Sequence, residues 1–211
     1  MKIRSQNHPS SILRLAACSA LVGAGLLGGC ATGKSVETTA YDLGTLGPLD
    51  ARSAVTIAPI AVADVSSAPW LDSQMMFFRL SYTNDQQPRP YATARWTMPP
   101  PQLLGQRIKV RMAQAGGAVL SGSDGAINLP LLRIEADDFS QRFDSPASST
   151  VHVAFRASVL NGRLLVGQKT FDLEVPAAGA DAPAGARALA TTTDKLIGDM
   201  MVWLATLPAK R

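Results

Sequence analysis

The sequence predicts an α+β fold: an antiparallel sheet with a mid-chain helix and a C-terminal helix packed on one face. Three observations carry this. Val151 to Val159 alternates strictly, with apolar odd positions and small or polar even ones, as in a strand with one wet face. Asn161-Gly162 then joins that strand to a second apolar arm through Phe171, Leu173 and Val175, which reads as a hairpin with a type I′ turn. Two helical stripes complete the pattern: Leu104, Ile108 and Met112 in mid-chain, and Leu189, Thr193, Leu196, Ile197, Met200 and Leu204 near the end.

The chain opens with a secretory signal over residues 1–29. Lys2, Arg4 and Arg14 form its basic region, and a glycine-rich apolar run follows from Leu15. That run is shorter than the roughly 20 apolar residues of a spanning helix. Leu27-Gly28-Gly29-Cys30 resembles the bacterial lipobox, which implies cleavage before Cys30 and acylation of its sulfur and of the new N-terminus. Two or more acyl chains anchor a protein stably where one does not. Ala31 follows, where an aspartate often retains lipoproteins at the inner membrane. By that rule the anchor is the outer membrane, with the protein facing the periplasm.

Composition narrows the function classes. Removal of the signal takes three basic and no acidic residues, leaving 17 basic against 16 acidic. A near-neutral domain gives no reason to expect nucleic acid as a partner. Cys18 lies in the signal and Cys30 carries the lipid, so no thiol remains for a disulfide or a metal. No cofactor motif is present: Gly122-Ser123-Asp124-Gly125 lacks the Lys-Ser/Thr of a phosphate loop. His152 is the only imidazole after the signal, without a triad or ligand pattern, and is expected to be structural or solvated. Asp137-Asp138 is expected on a solvated edge rather than as an acid pair.

The elements follow in order. Residues 30–39 are small and polar and form a lipidated tether. The domain runs over 40–208 and starts with a short strand at Thr39 to Gly44. Val55 to Val62 is β-branched and predicts a strand, which Pro59 makes an edge or a bulged one. Ser66 to Asp72 is a turn. Met75 to Leu80 and Tyr91 to Trp96 are strands around a polar tip at Asn84–Pro88. Pro99-Pro100-Pro101 opens the mid-chain helix and Gly116-Gly117 ends it. A glycine- and serine-rich loop reaches Gly125. A long strand covers about 128–143, with a bulge at Asp137-Asp138-Phe139 where alternation breaks. Residues 176–185 form a loose connector before the last helix, about 186–207, which Pro208 stops. Asp194 on that helix is expected to be solvated, with no pairing worth energy.

Several fragments resemble the ABC-type transport auxiliary lipoproteins, the PqiC-like family. They are Tyr41-Asp42-Leu43-Gly44, Pro69-Trp70-Leu71-Asp72, Ala94-Arg95-Trp96, Asp138 to Asp144, and Met201-Val202-Trp203-Leu204. The resemblance implies a non-catalytic periplasmic lipoprotein beside an ABC transporter or permease and an MCE-type (mammalian cell entry) protein. Such systems move phospholipid or other hydrophobic molecules and support envelope integrity. By analogy, a closed ring of copies, a homo-oligomer, would suit an MCE assembly. Trp70, Leu71, Arg95 and Trp96 are the candidate partner-binding residues, since tryptophan and arginine are enriched at hot spots. Core packing is the competing reading for the tryptophans and Tyr91. Two other functions compete. A lipoprotein regulator of peptidoglycan synthesis would normally need a longer tether. A periplasmic hydrolase would need His152.

The anchor is directly checkable. Mass spectrometry of native protein should find Cys30 N-terminal and acylated; an unmodified, freely soluble terminus would remove the assignment.

Overall fold

The structure, a computed structural model, describes residues 37–208 apart from 52, 126 and 127. The signal and the lipidated cysteine lie outside the described residues. Among the described residues nine strands and two helices follow in the order β1 (Thr39–Tyr41), β2 (Ile60–Val62), β3 (Ser66–Ser67), β4 (Met75–Leu80), β5 (Asn84–Trp96), α1 (Pro100–Gln114), β6 (Val119–Ser121), β7 (Leu131–Ser145), β8 (Ser148–Asn161), β9 (Leu164–Pro176) and α2 (Ala182–Thr206). The class is α+β, as the sequence predicts.

The sheet is mixed rather than wholly antiparallel. The long ladders β4–β5, β7–β8 and β8–β9 are antiparallel. The short strands join in parallel: β2, β3 and β4 dock in turn along one edge of β7, β6 lies beside β2, and β1 beside β5. Strands of two or three residues are too short to show a period, so their pairing comes from tertiary contact alone. The predicted strand over Val55–Val62 is only Ile60–Val62. Pro59 lacks an N–H and stands just before it, and the strand is interior, between β6 and β7, not an edge. The expected loop before Gly125 contains β6.

The β7 bulge forms where the alternation breaks. Ala136 pairs with Phe155 and Asp138 with Ala154, so Asp137 is the extra residue. The odd positions Val151, Val153, Phe155, Ala157 and Val159 all face the core. The β8–β9 turn differs from the type I′ prediction. Asn161 pairs with Leu164, so the turn residues are Gly162 and Arg163, and of these only Gly162 has positive φ, at 61°. Glycine alone at the first central position gives the φ signs of a type II′ turn.

Both helices carry the stripes read from the sequence. Leu104, Ile108 and Met112 are buried, as are Leu189, Thr193, Leu196, Ile197, Met200 and Leu204. These side chains share one apolar cluster with the inner face of β7 and β8. Pro100 and Pro101 occupy the first turn of α1, and Gly116 leaves it with φ 82°. α2 starts four residues earlier than predicted. Asp181 accepts from the Ala184 N–H at 2.8 Å, and Pro183 suits the first turn.

Asp194 is not solvated. Arg107 donates to both of its carboxylate oxygens at 2.7 Å, and Arg111 at 3.2 and 2.8 Å. Arg107 also donates to the Gly44 carbonyl at 2.7 Å, and Arg111 to that of Gly47 at 2.8 Å. One carboxylate on α2 thus holds two arginines of α1, which in turn hold the segment after β1. Burial alone would raise the Asp194 carboxyl, but the hydrogen bonds and charges of the two arginines outweigh it and hold it below the usual range.

Replacing Asp194 with alanine strands two buried guanidiniums. It should cost about 3–5 kcal/mol in denaturant unfolding, the range for breaking a buried pair from one side. A loss under 1 kcal/mol would make the clamp incidental.

Candidate functional site

The sheet has two faces of different character. The helices cover the inner one. On the other, the β7 bulge turns Asp138, Ser140 and Arg142 outward, beside Thr150, His152 and Ala154 of β8. Arg79 of β4 pairs in register with Arg142 and shares this outer face.

His152 has partners that the spacing did not reveal. Its Nδ1 lies 3.1 Å from Asp138 Oδ2 and its Nε2 3.0 Å from Asp172 Oδ1. Arg142 donates to Asp138 Oδ2 at 2.9 Å and to Glu174 Oε2 at 3.2 Å, and its Nη2 is 2.7 Å from His152 Nδ1. Asp138 is buried, not on a solvated edge. The hydrogen bond to Asp138 raises the His152 pKa; burial opposes this, and the bond to Asp172 adds to it. Burial would raise Asp138, but hydrogen bonds from His152, Ser140 and Arg142 hold it low. As imidazolium, His152 donates to both carboxylates. As the neutral Nε2–H tautomer, it keeps Asp172 and its Nδ1 accepts from Arg142.

Activation of Ser140 as a nucleophile would need a different order of groups. Ser140 donates to Asp138 Oδ1 at 2.6 Å and is fully buried. The carboxylate therefore stands between hydroxyl and imidazole, whereas nucleophile activation puts the imidazole against the hydroxyl. Among the described residues no group of three His, Cys, Asp or Glu is placed to hold a metal ion.

The four candidate partner-binding residues separate by burial. Leu71 and Trp96 are 0% exposed in the core, so they cannot touch a partner while the fold is intact. Trp96 instead packs edge-on to Phe139, centroids 5.3 Å apart. Trp70 is half-buried and Arg95 exposed, and both belong to the outer face. Met76 is fully buried, so its strand neighbours Met75 and Phe77 face outward. Trp70 lies edge-to-face with Phe77 at 5.4 Å, and the Arg79 guanidinium sits 5.5 Å from the Trp70 ring centroid. Met75, 53% exposed, pairs in register with Arg95. Together these residues form an aromatic, methionine and arginine platform on β4, β5 and the turn before β4. Arg79 was missed as a member; the alternation around Met76 was the available signal. Tyr91 turns inward and donates to Gln141 Oε1 at 2.9 Å; burial and the Asp181 charge raise its pKa.

Fold and site together define a small α+β domain with helices on one sheet face and an aromatic–arginine platform on the other. The comparisons narrow this further. The model of the ABC-type transport auxiliary lipoprotein component family matches residues 41–201, and the chain belongs to that family. A crystal structure of a Xanthomonas campestris protein of the DUF330 family superposes with a TM-score of 0.67 at 20% identity, covering 79% of this chain and 95% of that one. A crystal structure of an uncharacterized protein gives 0.62 at 14% identity, covering 78% and 97%. At such identities the likeness concerns the fold. No curated protein matches in sequence. No described helix is long and apolar enough to cross a membrane.

The imidazole network sets a pH dependence. Because the folded pKa of His152 is raised, its stabilisation is complete below the unfolded value of about 6.5 and is lost as pH rises through the folded one. Between about pH 5 and about pH 8, wild-type Tm should therefore fall relative to His152→Gln. The lowered carboxyls Asp138 and Asp194 act in the opposite direction: their contribution is lost as pH falls below about 4. Parallel wild-type and His152→Gln profiles would contradict the network.

Proposed function

We propose that this chain is a non-catalytic, lipid-anchored adaptor of an MCE-type ABC transport system that moves phospholipid or other hydrophobic molecules between membranes. Cys30 is the lipidated residue, and the anchor is the outer membrane with the domain in the periplasm. The match to the transport auxiliary family over 41–201 carries the reading. The outer platform supports it physically. Tryptophan and arginine are enriched at interface hot spots and methionine at interfaces, and here they lie together, half-buried or exposed, on β4, β5 and the turn before β4. Trp70 and Arg95 are the contact residues in this reading, with Arg79 steadying the Trp70 ring. The buried Ser140 and the ion-paired His152 fit a role in packing better than one in bond-making.

The partner is an MCE-domain protein acting with its permease. Crosslinked detergent extracts should yield that protein with the wild-type chain. The pair Trp70→Ala and Arg95→Ala should lower recovery at least tenfold at equal amounts of folded protein, and the exposed Arg95→Ala alone should lower it without changing the unfolding midpoint. Absence of any MCE protein from wild-type pull-downs would overturn the reading.

A further inference from the structure

The platform on β4, β5 and the turn before β4 carries two positive charges that the fold leaves unbalanced. Arg79 donates to the Asp85 carbonyl at 2.8 Å and lays its guanidinium 5.5 Å from the Trp70 ring centroid. Its buried Nε–H has no hydrogen-bond partner among the described residues. Arg95 is exposed near the other end, with Met75 of β4 on one side and Ala40 of β1 on the other. Among the described residues neither guanidinium has a carboxylate within ion-pair distance, whereas Arg107, Arg111, Arg142 and Arg156 all do. The acids nearest in sequence serve elsewhere. Asp42 accepts from the Gly44 N–H at 2.7 Å, Asp85 accepts from the Ser81 hydroxyl at 2.9 Å, and Asp72 lines a cleft toward Gln102 and Lys109 of α1.

Three features select what such a surface takes. The first is sign. A guanidinium without a carboxylate attracts one, and the two match as parallel hydrogen-bonding forks. The second is order. Arg79 and Met75, the residue opposite Arg95, stand about 13 Å apart along β4 at the usual strand rise. The surface between them is apolar, made by Phe77 and the Trp70 ring packed edge-on to it. A matching ligand therefore carries two acids with an apolar group between them. The third is extent. Further across the same sheet face lie Asp138, Asp172 and Glu174, which His152 and Arg142 already hold. A broad anionic bilayer laid on this face would meet those carboxylates as well as the arginines. A single chain segment lying along β4 meets the arginines without them.

We propose that the platform receives an acidic segment of its protein partner, with one carboxylate on Arg79, one on Arg95 and an apolar side chain against Trp70 and Phe77. This rests on the adaptor reading for the partner's identity, the MCE-type component. The chemistry of the segment follows from the unbalanced arginines of this chain alone.

The test places a photocrosslinking residue at the exposed position 75 of the full-length protein in its native membranes, with adducts mapped by mass spectrometry. Position 75 should join a peptide of the MCE-type component in which Asp or Glu stands on both sides of an apolar residue. Arg95→Glu should cut that adduct at least tenfold, and Arg95→Lys no more than about threefold. When the mapped acids are changed to arginine one at a time, one of them should return the Arg95→Glu adduct to within about threefold of wild type. A loss caused by misfolding would not recover in that way. Adducts to lipid alone, to a second copy alone, or to nothing would overturn the proposal, as would a yield indifferent to Arg95→Glu. An adduct to the MCE protein through a peptide without acids would leave the adaptor reading standing and remove this one. An acidic peptide of a different protein, with the charge exchange intact, would keep the acidic-segment proposal and remove the MCE partner.

Discussion

One extra residue in β7 decides which side chains this sheet hides and which it shows. Strand side chains alternate, so an inserted residue exchanges the two faces for everything beyond it. Before Asp137, Leu132, Ile134 and Ala136 point inward; after it, Phe139, Gln141 and Phe143 do. Without the bulge, Asp138, Ser140 and Arg142 would be pressed against the helices, and the aromatic residues would face out. With it, the ionic groups gather around His152 on the outer face, and Gln141 reaches Tyr91 and Ser149 beneath it.

The inner layer meets a different constraint. Its helices must be tied to the segment after β1, and apolar stripes alone do not define that connection. Asp194 supplies it with one carboxylate shared by two guanidiniums, whose remaining donors hold the carbonyls of Gly44 and Gly47. A buried ion pair adds little net stability over an apolar equivalent, but an unpaired one costs several kcal/mol. The clamp therefore selects one arrangement of β1, α1 and α2 more than it strengthens the whole. Gly198 belongs to the same packing. A Cβ there would collide with the Ser53 hydroxyl, so the segment after Gly47 lies directly against α2.

The parts of this fold readable in the sequence are those with a local period. The alternation in Val151–Val159, the two helical stripes, and the break at Asp137-Asp138 each show within one short stretch of chain. The parallel pairings of β1, β2, β3 and β6 do not, because two or three residues carry no pattern; of these strands the sequence placed β1 and overextended β2, and showed neither β3 nor β6. Asp194 looked solvated because its partners lie 83 and 87 residues away. The spacing of Arg107 and Arg111, four apart beside the Ile108 and Met112 stripe, was the available hint. The surroundings of His152 depended on hairpin register. Taking Asn161-Gly162 as the turn, and missing the irregularity between Val159 and Leu160, loses the alignment that sets Asp172 beside it. Of the four proposed contact residues, Trp70 and Arg95 lie on the surface. Leu71 and Trp96 are adjacent to them in sequence, but neighbouring residues need not share a face.

A protein that works by contact should show its working surfaces as protection from solvent. Hydrogen exchange on the anchored chain, alone and assembled with its transport partner, tests that most directly. Assembly should slow exchange in Met75–Leu80 and in the Arg95 end of β5, and leave the outer turns of α1 and α2 unchanged. Slowing confined to the helices, or none at all, would contradict an adaptor that binds through its sheet.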